Sequence, residues 1–293
     1  MKISVLTATY NREKLLPKLF ESLKKNYETF QDFEWIIMDD GSSDNTKKEV
    51  KKWIKEVNFK IDYHYQENEG KQKEINDAMQ YVTGDAIIEV DSDDYLLDNA
   101  LKTIAEDFIA LDNDEIYGII YKRKLGKKNT DTKKELNNKV VTLFDIHNKY
   151  GYDFDMAIVF KTEVRKKYYY EVCKNEKFVT EARLYYKLDQ FYKGMVFKDK
   201  YLVYGEYVEE GYSKNINKIF KKYPYGYYEY FNECLTYIKK DTLFKRKLYF
   251  IKHYILFSYL CGLSKRECIK RAKRYNFIIA LLVIPGYIKA SRF

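Results

Sequence analysis

Proline and histidine are nearly absent, with three of each in 293 residues, and glycine reaches only 12. So little Pro and Gly excludes a collagenous or low-complexity chain. The three histidines, His64, His147 and His253, have no metal-ligand spacing and read as structural. Four cysteines, Cys173, Cys234, Cys261 and Cys268, form no C-x-x-C pair. A disulfide scaffold and a zinc or redox site are therefore not expected, and a reducing, cytoplasmic compartment is. The chain has no basic segment followed by a long apolar stretch at its start, so no signal peptide is expected and the fold should begin at residue 1 or 2. Its apolar segments 254–263 and 277–288 are shorter than the roughly 20 residues a spanning helix needs, and the second contains Pro285 and Gly286.

What is present is a globular composition, 46% hydrophobic and 33% charged, enough for one large α/β domain with an extension or for two modest domains. The 31 tyrosines and many lysines suggest a nucleic-acid surface at first sight, but coding bias accounts for them and no recognisable nucleic-acid module accompanies them. Charge placement says more. From Ile238 onward 14 Lys and Arg face two acids, so the formal +9 belongs to the tail and the preceding 237 residues sum to −3.

Apolar β-branched runs alternate with helical periodicity. Ile3–Ala8 precedes a helix with Leu15, Leu16, Leu19, Phe20 and Leu23; Phe33–Met38 precedes one with Val50, Trp53, Ile54 and Val57; Ile61–Tyr65 precedes one with Ile75, Ala78, Met79 and Val82. The run Ala86–Val90 ends in Asp91-Ser92-Asp93-Asp94, and Leu96, Leu97, Leu101, Ile104, Phe108 and Leu111 predict a helix after it. Further strands are predicted at Tyr117–Tyr121 and Asp155–Phe160, a helix from about Phe178, and a strand pair within Met195–Tyr204, with a mobile excursion or hairpin between Lys122 and Lys139. This alternation implies a mostly parallel sheet covered on both faces. In such sheets ligands bind beyond the carboxyl ends of the strands. Thr9–Arg12, Asp39-Asp40, Asn68–Lys71 and Asp91–Asp94 all fall there.

Carboxylates at alternate positions of a tight turn, as in Asp91–Asp94, can present oxygens to Mg²⁺ or Mn²⁺, which then bridges to a diphosphate. The alternative is a solvated turn capping a helix that starts at Tyr95 or Leu96. Lys71 and Arg12 are available on the same rim as phosphate partners. Asp39–Asp44 reads either as a turn capped by Ser43 or Asp44, or as a site where Asp40 accepts the N–H of a base that stacks on Tyr10.

Five segments in order, Ser4–Arg12, Trp35–Thr46, Asn68–Lys71, Gly84-Asp85 and Asp91–Asp94, resemble the signature of the family 2 glycosyltransferases of GT-A fold. The resemblance is strong over residues 1 to about 100, weaker to about 215, and does not extend over the tail. It implies a nucleotide-diphospho-sugar transferase fold at 1–215, with 1–121 as the nucleotide-binding half and 122–215 as the acceptor-side half, followed by a helical extension at 216–293. It implies transfer from a nucleotide-diphosphate sugar, usually a UDP-sugar, with inversion at the anomeric carbon and use of Mn²⁺ or Mg²⁺. By position, Asp40 would bind the base, Ala8 and Tyr10 would wall its pocket, and Arg12 and Lys71 would lie near the diphosphate. Asp91 and Ser92 would face the ribose and phosphates, and Asp93 would hold the metal. A general base sits on a later helix in this family, often in a Glu-Asp pair. Thr180-Glu181 stands there in this chain, which makes Glu181 the candidate.

Acceptors in the family are often lipid-linked saccharides of bacterial surface polysaccharides. The tail, with basic clusters among Phe, Tyr, Ile and Leu, fits interfacial helices on an anionic membrane, and hence an enzyme peripheral to the inner face of the cell membrane. A small helical bundle with a basic outer face is the other reading. A sugar-nucleotide pyrophosphorylase or a dinucleotide-binding dehydrogenase would want a glycine-rich loop after the first strand, and Thr7–Arg12 has none. A non-catalytic nucleotide- or lipid-binding member of the same fold stays open.

Overall fold

A computed structural model of the chain describes residues 1–109, 111, 113–125, 136, 138–152, 155–173, 175–205 and 215–293. In chain order its elements are β1 (Ile3–Thr9), α1 (Leu16–Tyr27), β2 (Phe33–Asp39), α2 (Thr46–Glu56), β3 (Lys60–Tyr65), α3 (Lys71–Ala78), β4 (Ala86–Glu89), β5 (Tyr95–Leu96), α4 (Ala100–Ile109), β6 (Ile116–Leu125), β7 (Lys139–Val141), α5 (Leu143–Asn148), β8 (Met156–Lys161), α6 (Thr162–Arg165), α7 (Glu181–Leu188) and β9 (Lys193–Gly205). Five helices complete it: α8 (Ile216–Lys222), α9 (Pro224–Tyr237), α10 (Phe244–Leu260), α11 (Lys265–Arg271) and α12 (Asn276–Ala290).

The strands form one sheet in the order β3-β2-β1-β4-β8-β6-β9-β5, with β7 also on β9. The half β3-β2-β1-β4 is parallel, β8 runs against both β4 and β6, and β9 runs with β6. Period-two alternation divides each inner strand between two cores. On β2, Trp35 and Ile37 join Phe20, Val50 and Trp53 on one face, while Ile36 and Met38 meet Ile75 and Ala78 on the other. Phe20 stacks on Trp53 at 4.5 Å, and the Trp35 indole donates to Thr7 Oγ1 at 3.0 Å, so the largest side chain of the first core has its one polar atom satisfied.

The chain departs from the sequence reading in three places. The helix after Asp94 begins at Ala100, not at Tyr95 or Leu96, so neither Asp93 nor Asp94 caps it. Tyr95 and Leu96 instead pair with Tyr204 and Val203 of β9, because their backbone groups find a strand edge before a helical turn can form. Met195–Tyr204 lies in one long strand, which skips from Phe197 to Tyr201 in its pairing with β6. Part of the region 122–139 lies outside the described residues, but β7 at its end pairs with β9 and not back on β6.

The segment from residue 216 onward closes the second face of the sheet. Tyr227, Phe231, Phe250 and Phe257 share a core with Phe144, Phe178 and Tyr186, and Phe144 stacks on Phe250 at 5.8 Å. The apolar segment 254–263, expected to lie on a surface, turns its largest side chains into this core: Tyr254 and Phe257 are fully buried and Ile255 is nearly so. Among the described residues no helix is long and apolar enough to cross a membrane.

Candidate functional site

The carboxyl ends of β1, β2, β3, β4 and β6 open on one rim, and hydrogen bonds knit its loops together. Asn11, in the left-handed conformation at φ 52°, donates its N–H to Ser42 Oγ at 2.9 Å and accepts from the Ser43 N–H at 2.8 Å. Asn tolerates that conformation, so it can clasp the β1–α1 loop to the β2–α2 loop. Asp40 is buried and accepts from the N–H of Glu69 at 2.6 Å, the N–H of Gly70 at 3.0 Å and Asn68 Nδ2 at 2.9 Å. These bonds fasten the β2–α2 loop to the β3–α3 loop. Tyr10 is exposed and Ala8 half-buried beside it in sequence.

Beneath Asp40 lies Glu74, a fully buried carboxyl that sequence reading passed over. Burial and then the charge of Asp40 push it well above the usual carboxylate range, so it sits neutral at pH 7. Burial likewise raises Asp40, against the N–H groups that favour its charge. The only sequence signal for Glu74 is its place on α3 next to Ile75 and four residues before Ala78, on the buried side.

The second cluster centres on the Asp91–Asp94 turn, closed by the Asp94 N–H to the Asp91 carbonyl at 3.0 Å. Lys71, the first residue of α3, reaches across with Nζ 2.5 Å from Asp91 Oδ1 and 2.6 Å from Glu181 Oε1. Burial works against the lysine charge, but the two carboxylates outweigh it and hold its pKa well above normal. Asp91 is held below the usual range for the reciprocal reason: burial opposes ionisation, while Lys71 and Arg123 favour it more. Asp94 is buried and ion-paired with Arg123, yet burial, reinforced by Asp91 and Asp93 and opposed by Arg123, pushes it up to about 7. Ser92 is buried in the same turn, and Arg12 lies half-buried on the rim, with its field contributing to the ionisation of Asp91.

Glu181 opens α7, where the helix N-terminus favours a negative charge, and its second oxygen accepts from the Tyr185 hydroxyl at 3.3 Å, one turn along. Between these groups is a cavity of about 50 Å³ lined by Lys71, Glu89, Asp91, Arg123, Glu181 and Tyr185, among others. Glu89 forms its floor, held by the fully buried Arg165 at 3.0 Å and by the Tyr170 hydroxyl at 2.9 Å. Glu89, Arg123, Arg165 and Tyr185 were not singled out from sequence. Arg123 lies on β6 and Arg165 just past β8, strands whose order after β4 in the sheet no local pattern announces.

No cluster of three or more His, Cys, Asp or Glu suited to a metal occurs among the described residues. The rim nevertheless fits a hard divalent cation of the kind that takes most of its ligands from substrate. Asp93 is half-exposed and has no hydrogen-bond or ion-pair partner among the described residues, and Asp91, two residues before it, is held ionised.

A sheet with a parallel nucleotide-type half, an acidic turn after its fourth strand and a carboxylate facing that turn from a later helix defines the GT-A class of sugar transferase. Residues 4–171 match the family described as Glycosyl transferase family 2, more than half of the chain, and the chain belongs to that family. It is 36% identical over 105 residues to the poly(ribitol-phosphate) beta-N-acetylglucosaminyltransferase TarS of Staphylococcus aureus, covering 36% of this chain and only 18% of that protein. It is 29% identical over 233 residues to the GalNAc(5)-diNAcBac-PP-undecaprenol beta-1,3-glucosyltransferase of Campylobacter jejuni, covering 76% of this chain and 72% of that one. The crystal structure of S. aureus TarS 1-349 in complex with UDP-GlcNAc shares the fold, with a TM-score of 0.57 at 23% identity over 99% of this chain and 79% of that one.

Proposed function

We propose that the chain transfers a sugar from a nucleoside-diphosphate donor, of the UDP-sugar type, to a hydroxyl of a saccharide or lipid-linked saccharide in surface-polysaccharide synthesis, with inversion. One observation carries this reading: Asp91, Lys71 and Glu181 converge on a single cavity from three separate segments. The UDP-GlcNAc bound by one structural neighbour supports the donor class, and the undecaprenol-linked substrate in the name of the C. jejuni relative supports the acceptor class.

Glu181 acts as general base. It takes the proton of the acceptor hydroxyl, whose oxygen forms the new bond to the anomeric carbon while the bond to the donor diphosphate breaks on the opposite face. The electron pair and negative charge go to the leaving diphosphate. Lys71 and Arg123 both line the cavity and are the cations that would meet that charge, and stabilising it there would favour the transition state over the ground state. Lys71 is ion-paired with Glu181, and a diphosphate competing for Lys71 would free that carboxylate to meet the acceptor hydroxyl. Mn²⁺ or Mg²⁺, held by Asp93 with Asp91, would supply further neutralisation of the diphosphate. Ala8 and Tyr10 would wall the base pocket and Asp40 would take the base, while Arg12 and Ser92 would complete the diphosphate and ribose side. The four cysteines, all free, suit the reducing cytoplasm in which activated sugars are made.

Calorimetric titration of the full chain with UDP, GDP, CDP and dTDP, each with and without Mn²⁺, tests the reading. Binding of UDP that strengthens with Mn²⁺ is the expected result. Absence of binding to all four overturns it in favour of a non-catalytic member of the fold.

A further inference from the structure

Helix α12 is apolar on both of its faces, and only one of them is covered. Ile279, Val283, Tyr287 and Ala290 are buried, and Gly286 lies so close to α10 that an added Cβ would stand 2.5 Å from Ile255. The outward face carries Phe277, Leu281, Ile284 and Ile288, exposed by 78%, 64%, 56% and 55%. Their spacing of four, three and four residues sets them in one stripe along the helix. Scattered surface hydrophobics need no explanation, but a continuous stripe of large ones marks a surface that meets something.

Charge tells what that is. Residues 264–293 hold eight Lys and Arg against one acid, Glu267, which is already paired with Arg271 at 3.0 Å. Lys270, Lys273 and Arg274 are exposed on the segment leading into α12, whose own single charge is Lys289. A second copy of the chain would bring two such cationic rims together and pay in repulsion. An anionic lipid surface satisfies both features at once, taking the stripe into its acyl boundary and the cations among its headgroups. At 15 residues, interrupted by Pro285, the helix suits lying in the interface and not crossing it.

We propose that the outward stripe of α12, Phe277, Leu281, Ile284 and Ile288, docks the protein in the plane of an anionic membrane. The docking surface is α12 with its basic approach, not the neighbouring apolar segment of α10. This adhesion stands apart from the transfer reaction and requires no donor.

Co-sedimentation of the full chain with vesicles tests it. The chain should bind vesicles containing a third phosphatidylglycerol, bind phosphatidylcholine alone far less, and dissociate as salt rises. Leu281→Glu with Ile284→Glu, both solvent-facing, should leave the melting temperature unchanged and weaken vesicle binding about tenfold or more. Lys270→Glu with Lys273→Glu should abolish the preference for phosphatidylglycerol. Equal partitioning of the chain and both double variants would overturn the proposal. So would a dimer in sedimentation velocity that Leu281→Glu with Ile284→Glu dissociates, in a chain that ignores vesicles, since a second copy would then cover the stripe.

Discussion

At the scale of single residues, the site depends on carboxylates placed in different environments. Glu181 is half-exposed and bridged by Lys71, a position from which it can meet an acceptor hydroxyl. Glu181→Gln should keep nucleotide affinity in calorimetry and lower turnover by about 10²-fold or more. Asp93→Ala should remove the dependence of nucleotide binding on Mn²⁺ while leaving the melting curve in place, since Asp93 supports no other described group. Glu34 shows the opposite use of a carboxylate. Its side chain is fully buried and accepts from Ser4 Oγ and the Thr83 N–H, each at 2.8 Å, and from Lys2 at 2.9 Å. Burial opposes its charge, but these donors overcome it and hold its pKa at about 2. A carboxyl depressed in the folded state contributes stability that is fully present above its ordinary pKa and lost as pH falls through the folded one. Glu34 should therefore contribute on the order of 3 kcal/mol at neutral pH. Urea unfolding should show that share vanishing between about pH 4.5 and 2 in the native chain, while Glu34→Gln should lack this acid dependence. These roles were unevenly legible. Asp91, Asp93 and Lys71 stand in motifs that name their own chemistry, whereas Glu34 and Glu74 look like ordinary strand and helix acids until neighbours bury them.

At the scale of elements, the loop from β3 to α3 carries most of the site's precision. Gly70 has φ +97°, and a Cβ there would lie 2.0 Å from the carbonyl oxygen of Lys177. Gly70→Ala is thus both strained and obstructed. It should cost about 2 kcal/mol or more in unfolding experiments and weaken UDP binding, because the Gly70 N–H helps to hold Asp40 and Lys71 is its neighbour. A variant that melts and binds as the native chain does would show that the loop has another way to close. The parallel units could be read from sequence because strand, turn and helix follow one another within each. The short strand β5 could not, since Leu96 and Leu97 suit a helical face as well as a strand, and the choice is made by β9, more than a hundred residues away.

At the scale of the whole molecule, the last five helices are a wall of the core. Phe178 stacks on Tyr227 and Tyr186 packs against Tyr230, at 5.8 and 6.0 Å, so the α9 aromatics cover the side of the fold that bears Glu181. A chain ending at residue 215 should expose that face, bind a hydrophobic dye and lose its cooperative melting transition. If it instead melts as the full chain does, the helices are an appendage and the shared core is dispensable.

The order of motifs determined the family and the rim at which chemistry occurs, because strand ends and tight turns are set by neighbours in sequence. The tertiary structure alone decided that Lys71 bridges Asp91 and Glu181, that Arg123 pairs with Asp94, and that α10 is core while α12 shows an apolar face outward. Each of those outcomes depends on contacts between distant segments, and an apolar run carries no local mark of whether another surface will arrive to cover it.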